Sequence, residues 1–267
     1  MAYRFLHAST KSPLSGAFKA VGLTAALLSF GAARPSQATS MIVNGSFESL
    51  KTNASLQFGT GYASNGSPIQ TVTGWATSGY NFVFLPGTAD TTGATGASGG
   101  LALWGPGSNS GTGPANGLGS SPDRGNFIAA DGAYQVAAIT QTINNLSPGS
   151  TAVVSFYWAG AQQYGNQYNS ATSEQWTVGF TGDPNQATPV VQDAVHGFTG
   201  WMQQTFSFVV RSTTETLSFL ATGTPNGQPP FSLLDGVTLT QVPEPASWAV
   251  LLAGCGLAGL AARGAGR

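Results

Sequence analysis

The chain has 267 residues, of which 7% are charged, and a formal net charge of −1. Its central part, residues 39 to 242, holds three cations (Lys51, Arg124 and Arg211) against nine acids, a net charge of −6. This excludes the basic footprint of nucleic-acid binding. The single cysteine, Cys255, lies in a C-terminal apolar stretch, so no disulfide staples the central part and its stability must come from packing or a metal.

The N-terminus reads as a secretory signal peptide over residues 1–38. Arg4, Lys11 and Lys19 form a basic region, an apolar run extends from Ala20 to Ala33, and Ser36-Gln37-Ala38 offers small residues for cleavage by signal peptidase. Next comes a long β pattern. Candidate strands are Met41 to Val43, Tyr80 to Leu85, Gly100 to Trp104, Asn126 to Ala130, Ala138 to Ile143, Ala152 to Ala159 and Gln175 to Phe180. Met202, Phe206, Phe208 and Val210 then share one parity. Leu217, Phe219 and Ala221 alternate with Thr216 and Ser218, as Val237 and Leu239 do with Thr238 and Thr240. Period two with breaks at Gly, Pro and Asn predicts an all-β sandwich or barrel over 39–241. Residues 86–125 are Gly- and Ser-rich and read as long loops around an apolar island at Leu101 to Trp104. Trp158 and Trp201 are expected to be buried.

One run could recognise a ligand. Residues 157–170 set Tyr157, Tyr164 and Tyr168 among Gln162, Gln163 and Asn166. Tyrosine offers a flat apolar face with a polar tip, and amides offer donors and acceptors together. Sugars need faces to stack on and partners for hydroxyls. The rival reading is a polar surface loop whose tyrosines pack locally. Catalytic patterns are thin: the single histidine of the central part, His196, is read as an exposed loop residue, and Asp131 as a turn former. Paired carboxylates for glycoside hydrolysis depend on tertiary placement.

The chain ends with Val-Pro-Glu-Pro (Val242 to Pro245), an uncharged apolar stretch over 248–262, then Arg263 and Arg267. The prolines hold the backbone extended, the stretch is short for a membrane helix, and the arginines hold its end on the cytoplasmic side. This order, over 242–267, resembles the PEP-CTERM sorting signal of Gram-negative bacteria. The resemblance implies that an exosortase recognises Pro243, Glu244 and Pro245 while the chain is held in the inner membrane by its C-terminal transmembrane segment. It implies a cell envelope or extracellular matrix destination, in a setting of exopolysaccharide production.

A second resemblance covers the β domain. Ile42 to Glu48 reads Ile-Val-Asn-Gly-Ser-Phe-Glu, then come Gly74-Trp75, Gln141-Thr142-Ile143, the Leu146 to Gly149 turn and the closing Leu234 to Leu239. This order resembles the galactose-binding-like jelly rolls, which include many carbohydrate-binding modules. It implies a jelly-roll β-sandwich and a structural calcium between the opening and closing strands, at Glu48 and Asp235. This chain lacks a second acid beside Asp235, where such relatives often carry one. The expectation is a non-enzymatic protein that binds polysaccharide. A structural or adhesive matrix protein that binds protein partners, and a polysaccharide hydrolase, are the alternatives.

Overall fold

The computed structural model describes residues 39–60, 68–91, 101–107 and 116–242, which contain eleven strands and no helix. The expected signal peptide, the Pro243-Glu244-Pro245 motif and the apolar stretch over 248–262 lie outside the described residues. Among the described residues no helix is long and apolar enough to cross a membrane. The strands are β1 (Leu56–Gln57), β2 (Asn81–Phe84), β3 (Phe127–Asp131), β4 (Ile139–Asn144), β5 (Thr151–Gln162) and β6 (Thr172–Phe180). They continue with β7 (Gln186–Ala187), β8 (Val191–Asp193), β9 (Met202–Val209), β10 (Thr214–Thr224) and β11 (Pro230–Val242).

Two antiparallel sheets face each other. One has the order β1-β2-β3-β11-β5-β9 and the other β4-β10-β6-β7, with β8 also pairing to β6. The pairs nest: β6 with β7 and β8, β5 with β9, β4 with β10, β3 with β11. A long antiparallel hairpin rolled up in this way, its strands passing alternately between sheets, is a jelly roll. The expected all-β jelly-roll sandwich is therefore the fold.

Alternation builds the core between the sheets. Along β5, Ala152, Val154, Phe156 and Trp158 point inward; along β10, Leu217, Phe219 and Ala221 do so; along β6, Trp176 and Val178. The opening segment lies beside the closing strand, as the resemblance implied: Met41 N donates to Leu239 O at 2.8 Å and Val237 N to Gly45 O at 3.0 Å. Asp235 and Thr238 flank a break in the β5–β11 register, and Gly236 there takes a positive φ of 58°, a bulge conformation in which glycine is unstrained.

The stretch 86–125 has a structural part to play. Leu101, Leu103 and Leu118 are buried with Phe82, Phe84, Phe127, Ala159, Ala161, Phe231 and Leu233 in a second apolar cluster, distinct from the first. It lies on the parity of β5 and β11 that faces away from the sandwich interior. This explains why β5 alternates as far as Trp158 and is buried on both faces from Ala159 to Gln162. Of the expected strand Gly100 to Trp104, the described part from Leu101 on is not a strand: Leu103 makes only an isolated bridge to Gln163. Met41 to Val43 likewise follows β11 without strand geometry. Trp158 is buried at 1% exposure, but Trp201 is only half-buried. Its ring packs on Phe127 at 5.6 Å and its Nε1 donates to Gly119 O. It is a rim residue because no sheet covers it.

Candidate functional site

A pocket of about 280 Å³ opens where four connecting segments meet. Tyr80, just before β2, forms one wall, and Asp131, Ala133 and Tyr134 come from the β3–β4 turn. Gln163 and Tyr168 follow β5, while Asn226, Gly227 and Pro229 come from the β10–β11 turn. The local sequence explains the turn at Asp131. Its Oδ1 accepts the backbone N–H groups of Ala133 (2.8 Å) and Tyr134 (3.0 Å), an Asx turn that carries the Tyr134 ring outward. Tyr134 is 48% exposed, whereas Tyr80 is buried. The two rings meet edge to face at 5.2 Å and 84°. Tyr80 is itself braced edge-on by Phe82 at 4.7 Å, so one wall of the pocket is fixed to the outer apolar cluster.

Burial pushes the Asp131 carboxyl up to about 6, against the lowering pull of its two backbone donors. Burial, and then the nearby Asp131 charge, push the Tyr80 hydroxyl up to about 12. Because the folded Asp131 lies above its ordinary 3.8, its neutral form favours folding; that contribution is complete below pH 3.8 and is lost as pH rises through about 6. Asn at this position keeps an acceptor for both N–H groups and cannot ionise. Asp131→Asn should therefore remove a pH-dependent loss of up to about 3 kcal/mol between pH 4 and pH 7. Urea unfolding at both pH values checks this, and parallel pH profiles for the two proteins would refute it.

The structure divides the six residues of the aromatic and amide run. Tyr168 and Gln163 line the pocket. Gln162 does not: period two turns it inward, where it is buried and donates to Ser170 O and Thr172 Oγ1. Tyr164 packs against Trp104 at 4.6 Å. Asn166 is exposed and its carbonyl accepts from Asn169 Nδ2. Tyr157 stands on the outer face of β5 beside the Gly236 bulge. His196 is half-buried, not an exposed loop residue. Its ring stacks on Trp104 at 3.7 Å and its Nε2 lies 3.0 Å from Tyr168 O, so it props the loop that carries Tyr168. Tyr80 and Tyr134 were missed because Tyr80 reads as the start of a core strand. An unpaired aromatic directly after an Asp-Gly turn was the available signal for Tyr134.

Glu48 and Asp235 are brought near one another. Asp235 is buried and its carboxyl rises to about 8, first through burial, with further pushes from the Asp123 and Glu48 charges. It accepts from Ser121 Oγ and, at 2.7 Å, from Gly236 N, while Glu48 Oε1 accepts from Asn126 N at 2.6 Å. A Cβ on Gly125 would lie 1.9 Å from Glu48 Oε1, so glycine leaves that carboxylate its place. Among the described residues no three His, Cys, Asp or Glu side chains converge closely enough to hold a metal. Both side chains offer oxygen, the donor type that a hard cation takes.

Six of the nine acids of the domain are buried: Asp90, Asp131, Glu174, Asp193, Glu215 and Asp235. Asp183 is paired with Arg211 at 2.7 Å. The outer surface is therefore close to uncharged.

No family model matches the chain, and no curated protein does either. Solved structures similar to it include one titled "CBM4 structure and function", at 13% identity and TM-score 0.31 over 75% of this chain and 99% of that one. Another is TmCBM61 in complex with β-1,4-galactotriose, at 13% identity and TM-score 0.35 over 77% of this chain and 100% of that one. A third is the CBM22-1 xylan-binding domain of Xyn10C from Paenibacillus barcinonensis, at 11% and 0.35 over 72% and 95%. At these scores the jelly-roll assignment stands on the nested strand pairs, not on the likeness.

Proposed function

We propose that this chain is an exported, non-enzymatic protein that binds neutral polysaccharide in the cell envelope or extracellular matrix of a Gram-negative bacterium. In this reading signal peptidase removes residues 1–38 and an exosortase acts at Pro243, Glu244 and Pro245. The observation that carries the binding role is the pocket formed by Tyr80, Tyr134 and Tyr168 with Gln163 and Asn226. It supplies aromatic faces at two angles and amide groups beside them, which suits a sugar ring. Its volume is at the small end for ligand sites, fitting one or two rings. Asp131 is the one charged group in its wall, so anionic sugars are disfavoured. Glycoside hydrolysis uses two carboxyl groups across the scissile bond, and this wall offers one. Gel retardation of the full-length chain by a panel of neutral and acidic polysaccharides tests the reading. Retardation by a neutral polymer is expected. Retardation by none would favour a structural or adhesive matrix protein that binds other proteins.

A structural calcium belongs to the same reading. Glu48 and Asp235 would hold it, and it would neutralise the charge that Glu48 and Asp123 press on Asp235. A ligand of the native state stabilises by about 2.7 kcal/mol at a hundredfold excess over its Kd. Calcium should raise the unfolding midpoint of the wild-type chain more than that of Asp235→Asn. An equal rise in both would remove calcium from this place.

A further inference from the structure

The interior of the sandwich ends in a polar layer that neither the pocket nor the Glu48–Asp235 site uses. On the inner face of β6, Trp176 is followed toward the strand's start by Glu174 and Thr172. Asp193 of β8 is paired with Thr172 and faces the same way, and its charge acts on Glu174. Opposite stands β5, where Gly160 and Gln162 continue the inward parity of Trp158. Glycine is required there: a Cβ on Gly160 would lie 2.5 Å from Glu174 Oε2.

Glu174 is 0% exposed and Asp193 3%. Both carboxylate oxygens of Glu174 and Oδ2 of Asp193 have no hydrogen-bond partner at normal distance. Thr172, which accepts from Gln162 Nε2 at 2.9 Å, is close enough to hold Glu174 down slightly but does not close a normal bond to it. Among the described residues no cation answers them. Arg211 pairs with Asp183, and Lys51 and Arg124 are exposed. The His196 ring is turned to Tyr168 and Asn169, while its backbone N–H is spent on Gln162 Oε1. A fully buried carboxylate with neither donors nor a counter-charge is among the costliest arrangements a protein interior can hold. Burial accordingly lifts Glu174 to about 8 and Asp193 to about 7.

We infer that Glu174 and Asp193 bind a hard divalent cation of the calcium class between the sheets, separate from the Glu48–Asp235 place. The donors in this layer are all oxygen: the two carboxylates and the Thr172 hydroxyl. Calcium takes oxygen ligands of this mixed kind and tolerates irregular geometry. The cation would tie β6 and β8 to the end of β5, from which Gln163 and Tyr168 reach the pocket. This inference is independent of the glycan reading.

The test is equilibrium dialysis of the full-length chain against calcium. The double variant Glu174→Gln, Asp193→Asn should bind one equivalent fewer than wild type, and Asp235→Asn should keep that equivalent. Unchanged stoichiometry in the double variant overturns the inference and leaves the two carboxyls buried in protonated form. If the double variant does not fold, crystals of the unmodified chain soaked in terbium decide. An anomalous peak between Glu174 and Asp193 supports the site; a map with no peak there refutes it.

Discussion

Replacing Phe219 by alanine should lower the stability of the sandwich by about 3–5 kcal/mol, the usual cost of removing a buried aromatic from a packed core. Phe219 is 0% exposed on the inner face of β10. Its ring meets Phe156 at 5.1 Å and 84° and Trp176 at 5.9 Å and 88°. Phe156 belongs to one sheet and Trp176 to the other, so this ring joins the two layers. Trp75 closes the cluster at 6.2 Å from the same ring. A loss of this size is a large part of the ~5–15 kcal/mol that holds a typical domain folded. Leu220, the next residue, points to the opposite face and is half-buried. Leu220→Ala should cost no more than ~1 kcal/mol. Urea unfolding of both variants measures the contrast; comparable losses would mean that β10 does not alternate as described.

The second large effect concerns binding. Tyr134→Ala should weaken the affinity for a neutral glycan by about 10–100-fold, the 1.4–2.8 kcal/mol of a strong aromatic contact. Tyr134 is 48% exposed and its ring meets Tyr80 at the surface, so its truncation leaves the fold in place. Tyr164→Ala should leave glycan affinity within about twofold, because that ring is turned to Trp104 and away from the pocket. Calorimetric titration of both variants distinguishes the pocket from the aromatic run as read along the chain. If Tyr164→Ala abolished binding while Tyr134→Ala kept it, the site would lie on the Trp104 side of the loop.

The residues that were legible in the sequence are those whose environment is set by their neighbours in the chain. Period two placed β9, β10 and β11 and picked inward residues on each, because a half-buried strand must alternate. Short strands such as β1, β7 and β8 carry too few residues to show a period. The apolar island at Leu101 to Trp104 was visible, but its burial against the outer face of the first sheet was not, since that contact joins distant segments. The pocket follows the same logic. Tyr168 and Gln163 sit in a run whose composition drew attention, while Tyr80, Tyr134 and Asn226 arrive from three other turns. Gln162 and Gln163 are adjacent and chemically identical, yet strand parity sends one into the interior polar layer and the other to the pocket. The buried state of Glu174 and Asp193 was equally hidden, because each acid in sequence looks like a solvated side chain.

The most direct measurement is a crystal structure of the full-length chain bound to an oligosaccharide cut from the neutral polysaccharide that retards it most. The account predicts a sugar ring against Tyr134 and Tyr80, with Gln163 and Asn226 within hydrogen-bonding distance of its hydroxyls. Sugar density on another face of the sandwich, with this pocket empty, would contradict it.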